Sequence, residues 1–533
     1  MRFKNLLIAN ALFAMATVTV GCEKVVEQSP LTAFTDASVF TNSDRALLAL
    51  NGVYDAAQSG TQTLAGRGYP FGAGTIEQGD NRGEDVVNLA TFYQITYQGT
   101  YDPSTANNQA MWDNNYNLIN KANIAIDGFN KVGTSGVLPA ATATQYIAEC
   151  RFLRALAHHE LLMHFARPYL DGNGTAMGVP FRDYAVTGSA ALDKLKTEPR
   201  PTVAADYTKI LEDLAFAEAN LPIVNTGGAI YRAQKTAAIA LKMRVYLNMG
   251  NWDSVLSVGN RLIPATLSTP NGTISLLGAH ALTATPAAPF VASSLSAENL
   301  FSIKNDALDN GSVNGAMAQM YGSLDLGGRG MVCVSPIIWN NAGWLVDDLR
   351  RTTLYRTGTS AIGTAIMTVK YTDYVNRSDN TPIIRWAEVL LMQAEAEARK
   401  ATTVSARGVA LLNLVRNRSL AAPTTQAYTT ASFATATDLV SAILLERRIE
   451  FLMEGRRWPD IHRTAMDPIV AIRPAGIPAK VPNGGITSIT KFGIGVAVAA
   501  TQVGIPYADY RFIWPLPSGE VTQNPIVVQN PGY

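Results

Sequence analysis

The segment of residues 441–460, SAILLERRIEFLMEGRRWPD, constrains the fold of this chain more than any other. Its apolar residues Leu445, Ile449 and Leu452 recur at helical spacing, and a neighbouring stripe widens the apolar face. The sequence therefore predicts a helix that packs into the core through one broad face. Gly455 is placed to end that helix, because glycine adopts the left-handed backbone conformation without strain.

Charged side chains are also concentrated in this segment. Glu446, Glu450 and Glu454 stand four residues apart, and like charges at this spacing weaken an isolated helix by about a few tenths of a kcal/mol per pair. Arginines of the same segment can neutralise them, and its exit toward Trp458 is expected to place a guanidinium on the indole face. We therefore interpret the segment as a structural ion-pair cluster that fixes a helix terminus, rather than as a catalytic site.

Helical periodicity extends over two long parts of the chain, residues 43–264 and 382–455. Between them, residues 265–381 are rich in Gly, Thr, Ser and Asn, and residues 456–533 have an irregular, turn-rich pattern. The turn at 250–252 resembles that of a tetratricopeptide repeat (TPR), whose helix pairs bury their faces by stacking. The sequence predicts a mainly α fold, in which a TPR-like helical scaffold carries long irregular loop insertions.

Residues 61–103 contain many glycines and are predicted to form a long loop. Aromatic side chains are frequent there, and two tryptophans, Trp339 and Trp344, occur in the later insertion. Aromatic rings beside polar side chains suit the flat faces and hydroxyl groups of a sugar, and they also suit a peptide. The aromatic residues of the first loop are Tyr69, Phe71, Phe92, Tyr93, Tyr97 and Tyr101.

Four acidic residues also occur in this predicted loop, beside Arg82. Two of them would suffice for the carboxylate pair of a glycosidase. We favour the interpretation that all four belong to a solvated loop that makes turns or binds a ligand through hydrogen bonds. The four acids are Glu77, Asp80, Glu84 and Asp85.

The amino terminus has the pattern of an export signal. Arg2 and Lys4 precede an apolar run at residues 6–20, which is too short for a membrane-spanning helix. Thr19 to Cys22 resembles a lipobox, so residues 1–21 are predicted to be a lipoprotein signal peptide and Cys22 the lipidated residue. Residues 22–30 are then a tether, and residues 31–533 are predicted to form a single domain. The acyl chains would hold the protein on a bilayer.

Several function classes are disfavoured. The net charge is +1 and charged residues are only 16%, which argues against a nucleic-acid partner. The five histidines lack metal-ligand spacing, and neither a nucleophile elbow nor a phosphate-binding glycine loop occurs. We therefore predict no metal and no cofactor. A disulfide between Cys150 and Cys333 is possible by count, but Cys150 lies in an apolar helical pattern and is predicted to be a buried thiol.

The segment at 441–460 resembles the signature helix of the SusD/RagB family of nutrient-binding outer-membrane lipoproteins. Residues 382–399, PIIRWAEVLLMQAEAEAR, resemble the helix that precedes it in that family. The pattern W-x3-Y-x2-I-x2-A-N from Trp112 and the ending WPLPSGE from Trp514 are also similar to family motifs. The resemblance extends over nearly the whole chain.

This resemblance implies a surface-exposed lipoprotein that binds nutrient oligomers and delivers them to a TonB-dependent, SusC-like transporter in the outer membrane. Oligosaccharides are the expected ligands, with peptides as the second possibility, and no enzymatic activity is expected. Two other functions stay open, namely a TPR-like scaffold of an envelope complex and a lipid-anchored glycoside hydrolase. In this family, loops on the helical scaffold bind the ligand, and the ligand-binding residues predicted here are Asp80, Arg82, Tyr97, Tyr101 and Trp344.

Overall fold

A computed structural model describes residues 39–58, 66–227, 229–291 and 295–533. The predicted signal peptide, the predicted lipidation site Cys22 and the tether at residues 22–30 lie outside these ranges.

The described residues are mainly helical, as the sequence predicts. Eleven of the described helices have at least eight residues, and therefore at least two turns, and the strands are short. The helices are α1 (Ser43–Gln58), α2 (Ala73–Arg82), α3 (Gln94–Gln98), α4 (Ala106–Ser135), α5 (Ala140–Phe165), α6 (Ser189–Leu195), α7 (Val203–Asn220), α8 (Lys235–Asn248), α9 (Trp252–Gly259), α10 (Ser312–Gly315), α11 (Met317–Tyr321), α12 (Pro336–Trp339), α13 (Arg350–Thr353), α14 (Trp386–Lys400), α15 (Ala406–Asn417), α16 (Pro423–Gln426), α17 (Ala436–Glu450), α18 (Arg457–Thr464) and α19 (Ser518–Gln523). The strands are β1 (Val86–Asn88), β2 (Asn299–Ile303), β3 (Val332–Val334), β4 (Tyr355–Ser360), β5 (Gly363–Thr368), β6 (Thr381–Arg385), β7 (Gly476–Ile477) and β8 (Ile505–Pro506).

The longer helices form one continuous scaffold although the insertion separates them in sequence. Each of the helices α4, α5, α7, α8 and α9 packs on the next one in this series. Helix α9 then packs on α14, which contacts α15 and α17. Helix α5 is buried on nearly all sides because α4 and α7 cover it, and this explains its weak amphipathic pattern. The two predicted helical parts are therefore one structure.

The insertion leaves the scaffold and returns to it at one place. Strands β2 and β6 pair antiparallel, with Ile303 opposite Thr381, so residues 304–380 begin and end side by side. Within that excursion, β4 and β5 form a hairpin, and β3 pairs with β1 from the amino-terminal part. The loop-rich character predicted for this part of the chain is confirmed.

Two predictions about local structure are wrong. The helix predicted to begin at Pro382 begins at Trp386, because residues 381–385 form β6 and their hydrogen-bonding groups pair with β2. The segment at 61–103 is not one long loop, since its described part contains α2, β1 and α3. Helix α2 has several glycines and many polar residues, which hide its helical character, and it is completely buried.

The ion-pair interpretation of the segment at 441–460 is confirmed. Arg350 donates to Glu446 at 2.6 Å and to Glu450 at 3.0 Å, and Arg418 donates to Glu450 at 2.6 Å. Lys370 donates to Glu454 at 2.6 Å. These side chains are all at least nine-tenths buried. Burial alone raises the pKa of Glu450, but the neighbouring guanidiniums outweigh burial and hold it well below its usual value.

The cations in this network come from distant parts of the chain and not from the arginines beside the glutamates. Arg447 instead binds Asp460 at 2.8 Å, and Arg448 binds Asp85 of the amino-terminal part. Helix α17 ends at Glu450, and Gly455 adopts a φ of +73° five residues later. The segment therefore joins the scaffold, the insertion and the amino-terminal part.

Cys150 and Cys333 are both free and buried. Burial raises the pKa of each thiol, so neither is a reactive thiolate at neutral pH. The predicted buried thiol at Cys150 is confirmed.

Within the described ranges, no helix is both long enough and apolar enough to cross a membrane.

Candidate functional site

The predicted ligand residue Asp80 lies on α2 and is only 2% exposed. The hydroxyl of Tyr321 donates to one of its carboxylate oxygens at 2.6 Å, and the backbone N–H of Gly455 donates to the other at 3.0 Å. Burial raises the pKa of Asp80 to about 7, although these two hydrogen bonds oppose the change. Asp80 therefore connects α2 to the insertion and to the exit from α17.

Arg82 is buried at the end of α2. Its guanidinium carbon lies 3.3 Å from the centroid of the Trp458 ring, and it donates to the carbonyl of Phe512 at 2.5 Å. Burial lowers its pKa to about 10. A guanidinium does lie on Trp458, as the sequence predicts, but it comes from Arg82 and not from the neighbouring arginines.

The predicted aromatic residues are buried as well. Tyr97 donates to the carbonyl of Val481 at 2.6 Å, and Tyr101 donates to the carbonyl of Arg511. Trp344 is 0% exposed and packs against other aromatic rings. The structure thus places all five predicted residues beneath the surface, and Asp80 and Arg82 share one helix. Their contact with a ligand stays a prediction, and it requires that they become exposed.

The interpretation of the acidic residues as a solvated loop is wrong, because all four are at most 6% exposed. Arginines of the segment at 441–460 cover two of them: Arg457 binds Glu84 at 2.6 Å, and Arg448 binds Asp85 at 2.9 Å. Glu77 is 0% exposed, and its carboxylate oxygens have no hydrogen-bond donor among the described residues. Burial, together with nearby Asp80, raises the pKa of Glu77 well above its usual value, which favours the neutral carboxyl.

A surface cluster lies above these buried residues. The Phe92 ring is half-buried, and two guanidinium carbons lie over it, that of Arg67 at 5.1 Å and that of Arg329 at 4.9 Å from its centroid. Arg329 also donates to the side-chain oxygen of Asn314 at 2.6 Å. We call Arg67, Phe92, Asn314 and Arg329 the Phe92 cluster. A guanidinium stacked on an aromatic face leaves its N–H groups, which lie in its own plane, able to bind acceptor groups beside the ring.

Hydrogen-bonded side chains support the Phe92 cluster from below. Phe92 contacts Tyr93 edge to face, with ring centroids 4.8 Å apart. Gln78 of α2 donates to the Tyr69 hydroxyl at 2.7 Å and accepts from Thr96 of α3 at 2.6 Å. These bonds connect α2 and α3 to the segments that carry Arg67 and Phe92, so the surface groups rest on an ordered base.

Sequence reasoning named Phe92 among the aromatic residues but missed both arginines. They are far apart in sequence, and only the fold brings them to one ring. A signal was present nevertheless, because each arginine lies between glycines, in Gly66-Arg67-Gly68 and in Gly328-Arg329-Gly330. Such a repeated pattern indicates two tight turns that each present an arginine.

A second candidate is a cavity of about 500 Å³ between α4, residues 180–196 and α19. Trp112 and Tyr116 lie on its wall, together with amide side chains such as Asn120. Part of this wall has a structural role, since Tyr116 donates to the carbonyl of Pro180 at 2.7 Å and Asn120 binds the backbone of Val186 at 2.8 and 3.1 Å. The volume suits a small ligand.

The chain is similar to known proteins over nearly its whole length. Residues 349–533 match the SusD family, and residues 75–247 match a family described as starch-binding and associating with the outer membrane. Two SusD-like proteins of Formosa agariphila are 24% and 23% identical to this chain. The alignments cover 100% of both chains for the first, and 96% of this chain and 97% of its relative for the second.

Solved structures give the same result. A SusD superfamily protein from Bacteroides fragilis has 27% sequence identity and a TM-score of 0.70, covering 92% of this chain and 99% of that chain. A SusD superfamily protein from Bacteroides thetaiotaomicron has a TM-score of 0.71 at 21% identity, covering 92% of this chain and 100% of that chain. The predicted TPR-like, SusD-like fold is thereby confirmed.

Proposed function

Since the chain belongs to the SusD family, we propose that it is a cell-surface lipoprotein that binds nutrient oligosaccharides and delivers them to a SusC-like, TonB-dependent transporter in the outer membrane. The match to a family described as starch-binding supports a saccharide as the ligand. Peptides are the second ligand class. In this proposal the helical scaffold contacts the transporter and the loops bind the ligand.

The Phe92 cluster is the observation that carries the assignment of the site. It places two guanidiniums and an amide at the surface of loops that rest on the buried base formed by α2 and α3. Sugar hydroxyl and ring oxygens are hydrogen-bond acceptors, and these outward N–H groups are donors in fixed positions. A site of this kind binds a saccharide without needing to rearrange.

We also propose that the protein binds its ligand without cleaving it. A glycosidase needs one carboxylic acid that stays protonated at working pH. Although burial alone raises the pKa of Glu84, Arg457 and Arg448 lower it to about 2. Burial raises the pKa of Glu77, but this carboxyl is 0% exposed. The acidic residues considered in the sequence are therefore poorly suited to act as a catalytic pair on a polymer.

The membrane attachment belongs to the same proposal. Signal peptidase would remove residues 1–21, and acyl chains on Cys22 would anchor the protein in the outer membrane, with residues 31–533 as one domain outside the cell. In a bacterium with lipoprotein processing, labelled palmitate should be incorporated into the protein but not into a Cys22→Ala variant. Equal labelling of the two proteins would contradict lipidation at Cys22.

Ligand binding is tested by calorimetry of the detergent-solubilised full chain with a panel of glycans and peptides, with product analysis of the same mixtures. We expect binding without turnover, and we expect Phe92→Ala to remove it while Tyr510→Ala, a change of an exposed aromatic residue outside the cluster, does not. Turnover would establish the hydrolase instead. Co-purification with a transporter but no binding across the panel would establish the scaffold.

A further inference from the structure

The two arginines of the Phe92 cluster are held by rigid turns. The glycines on both sides of Arg67 have φ values of +74°, and those nearest Arg329 in this conformation are Gly327 at +96° and Gly330 at +61°. A Cβ atom at Gly68 would lie 2.6 Å from the backbone nitrogen of Ala73, so only glycine fits there. The glycines thus set tight turns that restrict the backbone at both arginines.

The charge of the cluster is not compensated within the part of the chain that the structure describes. Neither Arg67 nor Arg329 has an ion pair with a carboxylate there, whereas nearby Arg356 binds Asp325 at 2.6 Å. Glu77 interacts with Arg329 only through space, since its carboxylate oxygens accept no hydrogen bond from a described residue, and burial raises its pKa well above the usual value. Two guanidiniums without a carboxylate partner among the described residues therefore lie over one ring, and an anion bound beside them would interact favourably with both charges.

We infer that the ligand is an acidic oligosaccharide, and that the Phe92 cluster binds a carboxylate or sulfate group on one of its sugar rings. This inference rests on the proposed function, and it adds the chemical class of the ligand. A guanidinium binds a carboxylate or sulfate through two parallel N–H donors, and such charge-assisted hydrogen bonds are about twice as strong as neutral ones. The amide of Asn314 accepts from Arg329 through its oxygen, so its N–H groups are directed toward other acceptors.

Matched pairs of ligands test this inference, because each pair has the same sugar backbone with and without charge. Calorimetry of the full chain compares oligogalacturonate with its methyl ester, and a sulfated galactan oligosaccharide with its desulfated form. We expect the charged member of one pair to bind at least about tenfold more tightly than the neutral member. The pair that shows the difference identifies the anion as carboxylate or sulfate. Raising the NaCl concentration should weaken binding of the charged member only.

Variants separate this inference from the proposed function. Arg67→Gln and Arg329→Gln should each weaken binding of the charged member about tenfold or more, and should weaken binding of the neutral member much less, because Gln keeps a hydrogen-bond donor and loses only the charge. Lys131→Gln on α4 removes an exposed positive charge elsewhere and should change neither. Equal binding of charged and neutral members would overturn the inference while the proposed function stands. Absence of binding to every glycan would overturn both.

Discussion

Arginine has opposite surroundings in two regions of this molecule. In the ion-pair network around α17, Arg350, Arg385 and Arg418 are buried, and each binds carboxylates of two or more acidic side chains. In the Phe92 cluster, Arg67 and Arg329 are half-buried and have no carboxylate partner among the described residues. A guanidinium that pairs with buried carboxylates holds the fold together, whereas a guanidinium at the surface without a carboxylate partner keeps a charge that the described chain does not compensate.

The energetic difference follows from solvation. A buried charge loses its hydration and must recover that free energy from partners inside the protein, so removal of one partner leaves a large penalty. A partly exposed guanidinium keeps much of its hydration and tolerates the lack of a partner. The network is therefore expected to control stability and the cluster to control binding, and the following changes test that separation in order of decreasing effect.

The largest effect is expected for Glu450→Gln. This change leaves Arg350, Arg385 and Arg418 in the interior without one of their shared carboxylates, and it should lower the free energy of unfolding by about 3–5 kcal/mol. Urea denaturation measures the loss. Glu212→Gln on α7, which removes an exposed ion pair with Lys209, is the control and should change stability by less than about 1 kcal/mol. Similar values for the two variants would contradict the structural role of the network.

A smaller effect is expected for Tyr321→Phe, which removes the hydroxyl that donates to Asp80. The buried carboxylate then loses one of its two donors, and the free energy of unfolding should fall by about 1–3 kcal/mol. Thermal or urea unfolding measures this change. Tyr510→Phe removes an exposed hydroxyl and should be neutral. If ligand affinity fell while stability did not, Asp80 would belong to the binding site, as the sequence predicted, and its role would not be to stabilise the fold.

Asp80 also predicts a dependence of stability on pH. Its folded pKa is about 7 and its usual value is 3.8, so the folded state binds more protons than the unfolded state between these values. The contribution of Asp80 to the free energy of unfolding is therefore fully present below pH 4. It is lost as the pH rises toward 7, and the free energy of unfolding falls by at most about 1.4 kcal/mol per pH unit. Urea titrations between pH 5 and 7 should give a shallower decrease for Asp80→Asn. Parallel curves for the two proteins would contradict the raised pKa.

The smallest effect on stability is expected for Arg329→Gln. Its guanidinium is half-buried and has no carboxylate to leave unpaired in the described chain, so the free energy of unfolding should change by less than about 0.5 kcal/mol. The same urea titration measures this change, with Arg350→Gln in the network as the contrasting variant. A large loss of stability for Arg329→Gln would show that the Phe92 cluster stabilises the fold, and the difference between the two regions would disappear.

Much of the scaffold is predictable from the sequence because its signals are local. Helix α1 begins at Ser43, where the predicted helical part of the chain begins, because apolar residues at helical spacing are a signal within the segment itself. The segment at 382–385 is mispredicted because its strand pairing depends on Asn299 to Ile303, which no local pattern indicates. Long-range pairing overrides the preference of the segment itself.

The candidate site is less predictable for the same physical reason. Tyr97 and Trp344 are aromatic residues in segments rich in polar and small residues, and sequence alone does not distinguish a ring that faces solvent from one that donates to a distant carbonyl such as that of Val481. Arg67 and Arg329 meet only because two separate turns pack over α2. The sequence shows one part of this arrangement, namely the glycines on each side of the two arginines.

The pairing of Ile303 with Thr381 has a consequence for how residues 304–380 can change in evolution. Because the excursion at 304–380 enters and leaves through adjacent positions, its ends stay joined whatever lies between them, and lengthening such a loop costs little conformational entropy. The two family matches, at residues 75–247 and 349–533, leave much of this excursion unmatched. Insertions are therefore expected to be tolerated in those stretches of the excursion that contribute neither to β3 nor to the buried ion pairs of Arg350 and Lys370.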